Sequence, residues 1–140
     1  MESRLSLLLR NDLSELERIA QAVSVWCREN AVSGEAEYQI NLALDEIVSN
    51  VIHYAWKDDS EQQLHVRVSR MENELTVEVE DDGGPFNPLE VSAPDITRPL
   101  EDRPIGGLGI HLVRQIMDSM EYRRHDGRNL LTMKKKVGAA

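Results

Sequence analysis

Two runs of strict alternation, Leu64, Val66, Val68 and then Leu75, Val77, Val79, constrain this chain most. A period of two puts the apolar side chains of a strand on one face, and Glu72-Asn73-Glu74 supplies a polar turn between the runs, so residues 64–79 read as a β-hairpin. An apolar hairpin face needs a cover, and two helical patterns precede it. Leu16, Ile19, Ala20, Val23 and Cys27 recur at three- and four-residue spacing and predict a helix over 13–29, with Asp12 or Ser14 as cap. Ile40, Leu44, Ile47, Val48, Val51 and Ala55 predict a longer helix over 33–54.

Residues 3–9 read as a first strand. Gly106 to Met117 restores a helical period through Ile110, Val113 and Met117, and segments 120–125 and 129–136 flank Asp126-Gly127, a strong hairpin signal. Pro85, Pro88, Pro94, Pro99 and Pro104 interrupt the pattern, so a loop of about 20 residues is expected; loops that long are usually functional or disordered. The order strand, helix, helix, hairpin, loop, helix, hairpin predicts an α+β two-layer sandwich: a mostly antiparallel sheet with three helices on one face.

With 140 residues the expectation is one domain, 1–140. The apolar runs fall far short of the roughly 20 residues a membrane span needs, and no secretory signal is visible, which makes the cytoplasm the default compartment. Cys27 is the only cysteine and suits a reducing compartment. A net charge of −9 argues against a general nucleic-acid binder, because phosphate contacts need clustered Lys and Arg.

Within the second helix, Glu46, Asn50 and His53 stand at i, i+4 and i+7 and share a sector of about 60°, away from the apolar stripe. An acid and an amide one turn apart suit a general base and a magnesium ligand, since Mg²⁺ takes oxygen ligands; a solvated polar face has the same pattern. The alternation of Leu75, Val77 and Val79 continues to Asp81, which places that carboxylate on the apolar face at the strand end, where it needs a partner such as the exocyclic amine of adenine. Gly106, Gly107 and Gly109 open a helix and present N–H groups to an anion, although no Gly-Lys-Ser or Gly-Lys-Thr closes the string. No zinc-like spacing of His and Cys appears, and the four histidines form no arguable Ser-His-Asp set. The three segments together point to ATP.

In their order along nearly the whole chain, these motifs resemble the GHKL superfamily of ATP-binding domains, and within it the anti-sigma-factor serine/threonine kinase-like proteins. Segment 46–54 resembles the N box of that family, Asp81-Asp82-Gly83-Gly84-Pro85-Phe86-Asn87-Pro88 its first glycine box, and Gly106-Gly107-Leu108-Gly109-Ile110-His111 its second. Asn129 to Met133 resembles the closing strand, with Thr132 where the pattern has a threonine. The resemblance implies a Bergerat-type fold in which Asn50 helps hold Mg²⁺ and the phosphates, Asp81 recognises adenine, and Gly83 lets the base approach. His53, Pro85, Phe86, Leu108, Ile110 and Thr132 belong to the implied nucleotide-binding set, Gly106, Gly107 and Gly109 shape its phosphate end, and Glu46 is the implied general base. It implies an ATP lid over 87–104, with Arg98 and Arg103 as phosphate neighbours.

The function so implied is an ATP-dependent serine/threonine kinase that phosphorylates an anti-sigma factor antagonist of the STAS type and sequesters a sigma factor or other regulatory protein, as a homodimer. The alternative is a non-catalytic module in which nucleotide gates protein binding. The presence of both Glu46 and Asn50 favours catalysis.

Overall fold

The computed structural model describes residues 3–58, 60–90 and 107–138. Strand β1 (Ser3–Arg10) leads into helices α1 (Glu15–Glu29) and α2 (Gly34–Tyr54). The hairpin β2 (Gln63–Met71) and β3 (Glu74–Asp81) follows, then a 3₁₀ turn at Pro88–Glu90, helix α3 (Gly107–Ile116), and the hairpin β4 (Ser119–His125) and β5 (Arg128–Lys136). The strands form one sheet in the order β1-β2-β3-β5-β4, and every neighbouring pair is antiparallel. The architecture is the expected α+β two-layer arrangement, with element bounds within about two residues of those the periodicity predicts.

Local chemistry sets the ends. Asp12 Oδ1 accepts from the backbone N–H of Ser14 before α1, and Ser33 Oγ accepts from Ala36 N, 3.2 Å away, to cap α2. The β4–β5 turn is closed by Asp126 and Gly127 at φ +52° and +74°, left-handed conformations that Asp-Gly tolerates. Leu64, Val66 and Val68 of β2, Val77 and Val79 of β3, and Leu131 and Met133 of β5 share one face of the sheet and are buried under Ile40, Leu44, Ile47 and Val48 of α2 and Ile110 and Val113 of α3. The opposite face is polar, with Arg67 bridging Glu78 at 3.4 Å and Glu80 at 3.3 Å. Cys27 is fully buried in the core, where desolvation pushes its thiol up to about 11. No described helix is long and apolar enough to cross a membrane.

Helix α2 is the centre of the helical layer, between α1 and α3. Its two flanks are therefore both covered, and residues that a single-stripe pattern leaves outside become interior. Asn50 is 3% exposed, so the polar sector of α2 is a half-buried seam rather than a solvated face.

Candidate active site

The seam begins at Glu46. Its carboxylate lies directly against Gly109, in the first turns of α3, where any Cβ would overlap it. Glycine is thus what lets α3 dock over an acid. Desolvation, and after it the neighbouring Asp45, raise the carboxyl of Glu46 above its ordinary range. The positive end of the α3 dipole faces the same spot and favours an anion there.

One turn further on, Asn50 Nδ2 donates to the Glu46 carbonyl at 2.5 Å. That bond fixes the amide orientation and leaves Asn50 Oδ1 buried, with no hydrogen-bond donor among the described residues. An unpaired buried acceptor is costly unless a ligand completes it. Two other buried polar atoms share this condition, Trp26 Nε1 on α1 and Asn41 Oδ1. Asn41 stands nine residues before Asn50 and so on the other side of α2. An orphaned amide oxygen beside an acid fits a hard, oxygen-seeking Mg²⁺. No cluster of three His, Cys, Asp or Glu occurs among the described residues, so the protein would contribute few ligands and leave the rest to phosphate and water.

The second half of the site is at the end of β3. Asp81 is 3% exposed, at the last position of the inward-facing row. Its Oδ1 accepts from Gly83 N at 2.8 Å and from Asn129 Nδ2 at 2.9 Å. Burial dominates and holds the carboxyl above its ordinary range, while those two bonds and Arg124 oppose it. Asp81, Asn129 and Phe86 border a small apolar cavity with Ile47, Val51 and Leu131, of about 10 Å³, room for about one water. As it stands, the cavity is too small for a purine ring. Gly83 lies against the end of α2, where a Cβ would come within 2.6 Å of Ala55 Cβ, and Gly84 N donates to Ala55 O at 2.6 Å.

The expected residues divide as follows. Glu46 and Asn50 adjoin on α2, and Asp81, Gly83 and Phe86 gather at the β3 end; Ile110 is buried in the core beneath α3. Gly107 and Leu108 lie in the first turn of α3, whereas Gly106, Arg98, Arg103 and most of the 87–104 segment lie outside the described residues. Pro85 is exposed on the turn, and the Phe86 ring packs on Tyr54 with centroids 5.5 Å apart. His53 is exposed and stacks edgewise on Tyr54; it borders a separate groove of about 670 Å³ with Arg10, Trp56 and Lys57, away from Asp81. That groove is larger and also borders a helix start, at Asp12 and Leu13 ahead of α1, but none of the orphaned buried polar atoms lines it.

Thr132 is not brought to the site. It alternates with the buried Leu131 and Met133 and so faces the opposite side of the sheet, paired with Glu78. The residue of β5 that does face Asp81 is Asn129, 4% exposed and aligned with it in the strand register. Parity could have found it, since Asn129 is two residues from Leu131 and four from Met133.

Comparison with known proteins bears on the fold and the family. The fold matches a Mycobacterium tuberculosis structure of RsbU and RsbW domains with a TM-score of 0.64, at 14% identity, over 96% of this chain and 32% of that one. Serine/threonine-protein kinase BtrW of Bordetella bronchiseptica is 28% identical over 101 residues, 72% of this chain and 71% of its own length. Serine-protein kinase RsbW of Bacillus thuringiensis is 28% identical over 99 residues, and the Bacillus anthracis protein of that name is 30% identical over the same span. Both alignments cover 68% of this chain but only 61% of the RsbW sequences. Residues 9–135, almost all of the two-layer unit, match a single family of ATP-using domains, and the chain belongs to it: the Histidine kinase-like ATPase domain family.

Proposed function

We propose that this chain is an ATP-dependent serine/threonine protein kinase of a partner-switching pathway. The observation that carries it is the pair on α2: a carboxylate with a raised pKa, one helical turn from a buried amide oxygen that has no partner among the described residues. A base-reading carboxylate alone would serve a binding module. A poised base beside a metal-competent oxygen serves phosphoryl transfer, which needs mostly positioning and charge stabilisation.

Asp81 accepts the exocyclic amine of adenine, and the N–H groups of the α3 start face the phosphates. Asn50 Oδ1, with Glu46 beside it, would hold Mg²⁺, which when bound neutralises charge on the β- and γ-phosphates. Glu46 takes the proton of the attacking serine hydroxyl. The serine oxygen bonds to the γ-phosphorus, the bond to the bridging oxygen breaks, and ADP departs with that electron pair. The segment 87–104 acts as lid over the nucleotide, with Arg98 and Arg103 as phosphate neighbours, and 1–140 forms one such domain.

The phosphate acceptor is an anti-sigma factor antagonist of the STAS type, and the held partner is a sigma factor or other regulatory protein met through a homodimer. The kinase names of the relatives support this reading, as does the acidic net charge of −9, which steers the chain toward a basic partner surface.

Calorimetric titration with ATP and Mg²⁺ tests the foundation. Saturable binding is expected, weakened about 10- to 100-fold in Asp81→Asn, which loses a charged acceptor. Phosphate transfer from ATP to a purified antagonist tests the rest. Binding without transfer would favour the nucleotide-gated module, and no binding by wild type would remove both readings.

A further inference from the structure

Asn129 carries more of the cluster around Asp81 than any neighbour. Its Nδ2 donates to Asp81 Oδ1 and to Gly84 O, each at 2.9 Å. Its Oδ1 accepts from the Tyr122 hydroxyl at 2.5 Å, from Arg124 Nη1 at 3.0 Å and from Phe86 N at 3.4 Å. The orientation of the amide is settled by its partners: reversed, its NH₂ would face a guanidinium that has no acceptor, and its oxygen would face a carboxylate and a carbonyl. Arg124 Nη1 also donates to Gly83 O at 3.0 Å, so β4 and β5 together grip both glycines of the turn.

The consequence falls on Asp81. With Gly83 N and Asn129 Nδ2 both on Oδ1, that oxygen is committed to the protein, and no donor among the described residues reaches Oδ2. One oxygen is fixed and the other is left to accept. We propose that Asn129 is the positioning residue of base recognition: it anchors Asp81 through Oδ1 so that Oδ2 alone is offered to the exocyclic amine of the purine. It acts through Asp81 and does not contact the base itself, and the inference rests on the adenine-pocket reading above.

Asn129→Asp is nearly isosteric, keeps the acceptor for Tyr122, Arg124 and Phe86, and replaces only the donor toward Asp81 and Gly84. Two adjacent carboxylates cannot both ionise cheaply, so above neutral pH the pair loses the arrangement of one donor and one free acceptor; on acidification a shared proton restores it. Asp82 raises and Arg124 lowers the Asp81 carboxyl from outside the pair. Tyr122 faces the pair as a hydroxyl donor.

The test titrates the chain of residues 1–140 with ADP and with purine riboside 5′-diphosphate, which lacks the 6-amino group, at pH 8 and pH 5.5. Wild type is expected to prefer ADP by about tenfold or more at both pH values. Asn129→Asp is expected to lose that preference at pH 8 while binding the analogue within about twofold of wild type, and to regain it at pH 5.5. Tyr122→Phe, a milder change that frees one bond of Asn129, is expected to reduce the preference about two- to threefold. An undiminished preference in both variants overturns the proposal, as does an equal loss for both ligands, which marks direct contact with the base or general damage. Failure of wild type to bind ADP overturns the adenine-pocket reading itself, and is seen before any substitution is made.

Discussion

The two ends of the candidate site satisfy their polar atoms in opposite ways. Around Asp81 almost every donor and acceptor has a protein partner, and Asn129 alone makes five bonds. Around Glu46, the amide oxygen of Asn50 is buried and unpaired among the described residues, and the carboxylate faces a helix start. On the proposed reading, the base would meet an Asp81 held in place by its neighbours, whereas phosphates that change charge and position would be met by groups left uncommitted. The two glycines repeat the contrast: Gly83 is held against the backbone of Ala55, and Gly109 against the movable end of a side chain.

Glu46→Gln makes the sharpest break. If Glu46 is the base proposed above, this change keeps the shape of the site and removes its proton acceptor, so phosphate transfer is expected to fall by about 10² to 10⁴ while ATP affinity stays within a few-fold of wild type, measured by turnover and by titration. A parallel fall in affinity would show that the two ends are one unit.

The glycines separate next. Gly109→Ala is expected to displace the Glu46 carboxylate and slow transfer about tenfold, with little change in melting temperature, because alanine favours the helix and the displaced group is flexible. Gly83→Ala meets backbone that cannot yield, and is expected to cost about 1 to 3 kcal/mol in denaturant unfolding. If Gly109→Ala proved the more destabilising, the contrast between fixed and movable neighbours would be lost.

The smallest effect is on pH. The carboxyls of Glu46 and Asp81 are raised from ordinary values of 4.5 and 3.8, so the folded chain keeps protons that the unfolded chain has released. Their contribution to stability is fully present below those ordinary values and is lost as pH rises through the folded ones. Melting curves between pH 4 and pH 7 should therefore show a shallower dependence in the double variant Glu46→Gln, Asp81→Asn than in wild type. Glu46 is partly exposed and screened, so Asp81 should account for the larger share.

Alternation and helical spacing made the layers legible, since each strand has to bury one face and α2 shows a long apolar stripe. The Glu46 and Asn50 spacing was equally visible. What could not be read was that Asn50 is interior, because that depends on α3 docking against α2 from 57 residues further along, closely enough to require Gly109. Thr132 was drawn by motif position, but strand parity sends it to the far face; Asn129 went unseen because it directly follows the Asp126-Gly127 turn, where a polar residue looks unremarkable.

The placement of β5 between β3 and β4 has a consequence for synthesis. Asp81 emerges from the ribosome about 48 residues before Asn129, and until β5 docks, its carboxylate has only the local N–H of Gly83 and β3 remains an open edge. The cluster around Asp81 is therefore completed by the docking of one central strand, and on the proposed reading nucleotide capture would be a property of chains in which that docking has occurred.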